Sequence, residues 1–170
     1  MENKDIRLAG IAYESLVNGT GIRRVIFAQG CKHNCAGCFN PETHDLLGGD
    51  VFDMDFLLEE IKSNPILTGV TFSGGDPFEQ GEKFAYLAKE IKGNDLNIWC
   101  YSGYTFEYIL EHRDERDGWH ELLEYIDVLI DGKFVESLEE EGLKFRGSCN
   151  QRIIDVKESL EKKEVVVLDY

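Results

Sequence analysis

The sequence has no run of apolar residues long enough to cross a bilayer, which takes about 20 in a row, and its opening stretch from Met1 to Arg7 is polar and charged. A membrane span and a secretory signal are thereby excluded, and a cytoplasmic protein is expected. Positive charge is scarce, with 18 Lys and Arg against 33 Asp and Glu and a net charge of −15. Neutralising nucleic-acid phosphates needs the opposite balance, so no nucleic-acid partner is expected. The acid excess reads mainly as a soluble surface. Repeats, low-complexity segments and interdomain linkers are absent as well. With 170 residues and a hydrophobic fraction of 42%, there is enough apolar material for one core, so residues 1–170 are expected to form one domain.

An even set of cysteines is also missing. Five are present: Cys31, Cys35, Cys38, Cys100 and Cys149. An odd number in a chain expected in the cytoplasm argues against a disulfide framework. Three of the five fall in Gly30-Cys31-Lys-His-Asn-Cys35-Ala-Gly-Cys38, and crowding of that kind points to a metal. Soft thiolates favour zinc, cuprous copper or iron–sulfur clusters. Structural zinc closes a tetrahedron, so three thiolates need a fourth ligand, for which His33 and His44 are the neighbours to hand. An electron-transfer cluster normally takes four cysteines. The alternative is a 4Fe–4S cluster held by Cys31, Cys35 and Cys38 with one iron left open. Cys100 and Cys149 have no local partners, and an isolated cysteine is more often a small buried apolar residue.

Hydrophobic spacing supplies the frame. Short apolar runs at 24–28, 69–73, 96–101 and 126–130 read as buried strands, with further candidates at 153–154 and 165–168. Between them, Met54, Leu57, Leu58 and Ile61 recur at helical spacing behind Asp53, a helix-capping residue, and Phe84, Leu87, Ala88 and Ile91 repeat that spacing. Further helices are expected over 105–111 and 119–125. Strand and helix in alternation give an α/β fold with a parallel sheet, either an open sheet or a partial β/α barrel. In both, the site lies in the loops after the strands. The polar and glycine-rich stretches fall there, after Ala28, Ser73, Tyr101 and Ile130.

The C-x3-C-x2-C spacing resembles that of the radical S-adenosylmethionine superfamily. Ser73-Gly-Gly-Asp-Pro77 stands where that superfamily has a glycine-rich turn receiving the methionine end of the cofactor. Glycines let a ligand approach the main chain, and a carboxylate can accept from an ammonium group. Within the superfamily the chain resembles the family that activates the anaerobic ribonucleoside-triphosphate reductase. Four stretches carry the likeness: Gly21-Ile-Arg-Arg24 leading to Gln29-Gly-Cys31; Cys35-Ala-Gly-Cys38-Phe-Asn-Pro41; Tyr101-Ser-Gly-Tyr-Thr-Phe-Glu107; and Asp127-Val-Leu-Ile-Asp-Gly-Lys-Phe134 with Phe145-Arg-Gly-Ser-Cys-Asn-Gln151. They span residues 18–156. Cys149 stands where the family usually carries a second serine, and the tail from Val156 to Tyr170 is not diagnostic.

The resemblance implies a partial, incomplete β/α barrel of the radical S-adenosylmethionine type. It implies a 4Fe–4S cluster on Cys31, Cys35 and Cys38 whose open iron is chelated by S-adenosylmethionine. One electron from flavodoxin or ferredoxin would cleave the sulfonium to methionine and a 5′-deoxyadenosyl radical, which takes a hydrogen atom from a backbone glycine of the reductase large subunit. Gly37, Cys38, Phe39 and Asn40 would bracket the adenine or sulfonium, Gly74, Gly75 and Asp76 the methionine end, and Tyr101, Ser102 and Gly103 would line the site. Asp131 and Lys133 would contact the cofactor or a neighbouring cation, unless they are an ordinary surface ion pair. No general acid or base is implied, in keeping with the lack of a catalytic triad or carboxylate pair. His112 and His120 read as solvated, and Glu139-Glu-Glu141 as a solvent face or partner contact. About five strands cannot close a barrel, which takes eight, and an open side admits a loop of another protein. Three alternatives stay open: an activator of another glycyl-radical enzyme such as pyruvate formate-lyase, a radical enzyme acting on a small molecule, and a zinc-stabilised binding module.

Overall fold

The computed structural model describes all residues 1–170. Seven strands form one mixed sheet in the order β3-β1-β2-β4-β5-β6-β7. They are β1 (Asp5–Ser15), β2 (Arg23–Ala28), β3 (Asp50–Asp53), β4 (Gly69–Gly74), β5 (Asn97–Tyr101), β6 (Val128–Asp131) and β7 (Arg152–Asp155). The four central strands, β2, β4, β5 and β6, run parallel, while β1, β3 and β7 join antiparallel at the edges. The sheet does not close. The expected partial barrel is present, with antiparallel borders that the all-parallel reading did not include.

Five helices complete the fold: α1 (Met54–Ser63), α2 (Gly81–Lys92), α3 (Phe106–His112), α4 (Trp119–Tyr125) and α5 (Val156–Lys162). Local chemistry sets their starts. The side chains of Asp53 and Thr105 accept from the backbone N–H groups of Phe56 and Tyr108, satisfying donors that a helix start leaves open. Met54, Leu57, Leu58 and Ile61 of α1 are buried, as their spacing predicts. No helix is long and apolar enough to cross a membrane.

Alternation along the strands separates two faces. Ile26, Val70, Phe72, Ile98, Cys100 and Leu129 join the helices in a core cluster of 28 buried residues. The opposite, inner face carries a smaller cluster of Trp99, Val128, Ile130 and Ile153, backed by Tyr101, Phe145 and Leu168. Arg23 is fully buried, 5.4 Å from the Trp99 ring, and donates to Thr71 Oγ1 and to the carbonyls of Val70, Asn97 and Thr20. Burial lowers its pKa to about 10.

Three expectations change. β1 and β3 are additional strands. The run at 165–168 makes only one bridge, Ile154 to Val167, and covers the outer edge of β7 without forming a strand of its own. Before it comes α5, an unexpected helix that ends at Lys163 in a left-handed conformation (φ 58°).

Candidate cluster and cofactor site

A cleft of about 640 Å³ opens on the inner face at the carboxyl ends of the parallel strands. Phe27, Ser73, Tyr101 and Gly132, from or just beyond β2, β4, β5 and β6, line its floor. Cys31, Cys35 and Cys38 all line it too, each part-buried. Cys100 is buried on the outer face and Cys149 is exposed outside the cleft, so neither joins the trio. No three His, Cys, Asp or Glu side chains converge closely enough to hold a single metal ion. Three thiols on one cleft with no fourth cysteine beside them suit a cluster with one open iron better than structural zinc, which closes a tetrahedron of four ligands.

The cysteine loop is held from several sides. Gln29, 3% exposed, donates to the carbonyls of Glu42 and Asp45, and the Gly30 N–H donates to the Thr43 carbonyl. Inside the loop, the Cys38 N–H donates to the Cys35 carbonyl and the Asn40 N–H approaches Cys38 Sγ at 3.4 Å. Burial pushes the Cys31 thiol up to about 11; Asp76 and the other two thiols add to the rise, and a backbone hydrogen bond from His33 opposes it. Metal ligation by Cys31 therefore displaces a proton.

The glycine turn after β4 packs hard against the end of β2. Gly75 donates to the Ala28 carbonyl and Asp76 to the Gly30 carbonyl, both at 2.8 Å. A Cβ on Gly75 would lie 2.4 Å from the Gly30 oxygen. These glycines thus serve main-chain contact between two strand ends while also lining the cleft.

Of the residues nominated from sequence, Cys38, Phe39, Asn40, Gly74, Gly75, Tyr101, Ser102, Gly103 and Lys133 line the cleft with the other two cysteines. Gly37, Asp76 and Asp131 do not. Gly37 faces the Glu136 carboxylate. Asp131, 1% exposed, accepts from the Phe106 N–H and pairs with Arg152, not with Lys133. It is a buried tie between β6, β7 and the start of α3, neither a surface pair nor a cleft residue. Asp76 is fully buried behind the wall. Sequence reasoning did not nominate His33 as a cleft residue, nor Asn18, Phe134, Phe145, Arg146, Gly147 and Gln151, all of which line it. The signal was present for the last four, which stand in the quoted stretch ending at Gln151. The Glu139-Glu-Glu141 run also reaches the rim through Glu139 and Glu140.

An unclosed β/α barrel with three thiols at its strand ends, and no fourth cysteine beside them, defines an iron–sulfur protein of the open-barrel class. Comparison agrees. Residues 17–154 match the family model described as a 4Fe-4S single cluster domain. The anaerobic ribonucleoside-triphosphate reductase-activating protein of Vibrio cholerae serotype O1 is 37% identical over 146 residues, covering 81% of this chain and 90% of its own. Its namesake from Enterobacteria phage T4 is 37% identical over 81% of this chain and 86% of its own, and that of Escherichia coli K12 32% identical over 80% and 90%. The chain belongs to this family of 4Fe–4S reductase-activating proteins.

Proposed function

We propose that the chain holds a 4Fe–4S cluster on Cys31, Cys35 and Cys38, binds S-adenosylmethionine in the adjoining cleft, and generates a glycyl radical on the large subunit of the anaerobic ribonucleoside-triphosphate reductase. One observation carries this reading: three thiols, with no fourth cysteine among them, face one cleft beside the turn after β4. When bound, the cluster supplies a single electron, drawn from flavodoxin or ferredoxin, and S-adenosylmethionine supplies the group that takes a hydrogen atom from the partner's glycine.

The chain's own residues bind and orient. Phe39, tilted against Phe134 with ring centroids 4.8 Å apart, offers an aromatic wall for the adenine. Ser73, Gly74 and Gly75 bring main-chain groups to the methionine end. Lys133, beyond β6, brings a cation to the cleft in a chain of net charge −15 and suits a carboxylate. The unclosed side between the sheet edges admits a loop of the partner.

Anaerobic reconstitution with iron and sulfide, then reduction with S-adenosylmethionine present, is expected to yield 5′-deoxyadenosine. Incubated with the reductase, the same preparation is expected to give a glycyl-radical signal in electron paramagnetic resonance. Cys31→Ala, Cys35→Ala and Cys38→Ala each lose the product to background, while Cys100→Ala keeps it. Retained cleavage in any of the first three contradicts the ligand set.

A further inference from the structure

The Asp76 carboxylate has no acceptor site to spare. Its Oδ1 accepts from the Phe78 N–H at 3.0 Å, and its Oδ2 from the Gly103 N–H at 3.0 Å. Ser102 Oγ donates across both oxygens at 3.1 and 2.9 Å. The fourth donor is the His33 ring, whose Nε2 lies 2.6 Å from Oδ2. A carboxylate only accepts, so this contact takes the tautomer in which Nε2 carries the hydrogen. A carboxylate offers about four acceptor sites, and four donors fill them. Nothing remains for the ammonium group of a cofactor, and Asp76 does not reach the cleft surface.

His33 sits at the middle of the C-x3-C segment, between Cys31 and Cys35. Its side chain is only 6% exposed. The ring lies edge-on to Tyr104 with centroids 4.3 Å apart. Gly103 leaves room for it, since a Cβ there would stand 2.4 Å from the ring. Lys32, next in the chain, reaches the buried Glu79 carboxylate at 3.3 Å, and Tyr104 donates to that same carboxylate. Two neighbouring side chains of the cysteine loop therefore grip the loops that follow β4 and β5.

We propose that His33 and Asp76 form a clasp that presets the cysteine loop, with Asp76 a positioning residue for the metal ligands and not a ligand of S-adenosylmethionine. The inference rests on the cluster reading above for what the clasp serves, and on this chain's own contacts for its existence. A buried hydrogen bond to an acidic group restrains both partners, and losing it lets the loop open locally. The carboxylate receives donors from the short 3-10 turn that begins at Pro77, from the residues just beyond β5 and from the cysteine loop, so one group sets the spacing of three cleft walls.

Three full-length chains test this: wild type, His33→Leu and His33→Gln, the last retaining an amide donor of similar reach. In the chains without metal, amide exchange over residues 31–38 is expected to be about tenfold faster in His33→Leu than in wild type, and near wild type in His33→Gln. Exchange at Ile26 and Phe72 stays unchanged and shows that the sheet is intact. After reconstitution, the visible iron–sulfur absorption under a fixed excess of chelator is expected to decay about tenfold faster in His33→Leu, with rescue in His33→Gln. Unchanged exchange in His33→Leu overturns the clasp, and so does unchanged cluster lifetime. A wild-type chain that takes up no cluster overturns the proposed function instead, and the metal-free exchange comparison still decides whether the clasp exists.

Discussion

The two long loops that wall the cleft are held in opposite ways. The loop after β2, residues 29–45, is fastened to the scaffold: Gln80 Nε2 donates to the Gln29 carbonyl, the Asp76 N–H to the Gly30 carbonyl, and His33 to the Asp76 side chain. The loop after β6, residues 132–151, is fastened mostly to itself. Gln151 Oε1 accepts from the Gly147 and Ser148 N–H groups, Gln151 Nε2 donates to the Gly132 carbonyl, and Ser148 Oγ accepts from the Val135 N–H. Its neck is closed by Asp131 and Arg152, paired in register across β6 and β7 and joined as an ion pair. To the rest of the inner face it offers the Phe145 carbonyl, bonded by Tyr101, and a few aromatic contacts. The wall that carries the thiols is thus part of the scaffold, and the facing wall is a self-tied flap. A metal centre needs fixed ligand spacing, whereas a cleft that receives another protein's loop needs a side that can yield.

Breaking one tie in each wall tests the contrast. Gln29→Leu removes two part-buried hydrogen bonds and strands the Glu42 and Asp45 carbonyls. It is expected to cost about 2 kcal/mol of global stability in urea unfolding, and to lower cluster retention after reconstitution. Gln151→Leu removes three bonds, but all lie inside the flap, which can open before the domain unfolds. Its global cost is expected to be under about 1 kcal/mol, with faster proteolytic nicking within residues 135–145 and normal cluster retention. Equal global costs for the two variants would make the flap part of the cooperative core, and the contrast would fail.

How far each wall can be read from sequence follows from how local its chemistry is. The thiol trio lies within eight residues, and that crowding alone points to a metal centre. Helices α1 and α2 were legible because their buried residues recur at i, i+3, i+4 and i+7. The role of Asp76 was not legible, since its partners His33 and Ser102 stand 43 and 26 residues away and reach it only when three strand ends meet. For the same reason Asp131 read as a neighbour of Lys133 when its partner is Arg152. β1 escaped notice because Ala9 and Gly10 interrupt its alternation, and β3 because it has four residues, two of them acidic. α5 did carry a signal, Asp155 followed three residues later by Glu158, and the Asp155 side chain accepts from the Glu158 N–H. The apolar run after it drew the strand assignment instead.

The smallest expected effect sharpens the description of the flap's neck. Arg152 donates to both Glu107 oxygens, at 3.0 and 2.7 Å, as well as to Asp131, so α3 is tied to the base of the flap. That guanidinium holds the Glu107 carboxyl below its ordinary value of 4.5. A carboxylate with a depressed folded-state pKa contributes stability that is present above its unfolded value and is lost as pH falls through the folded one. Glu107→Gln is therefore expected to be less stable than wild type at pH 7, and the two unfolding midpoints are expected to converge as pH falls below 4.5. Because the Glu107 side chain is 58% exposed, solvent screening keeps the difference at pH 7 under about 1 kcal/mol, and added salt shrinks it. Midpoints that stay apart in acid would mean that Glu107 acts by packing at the neck, with Asp131 alone carrying the ionic tie.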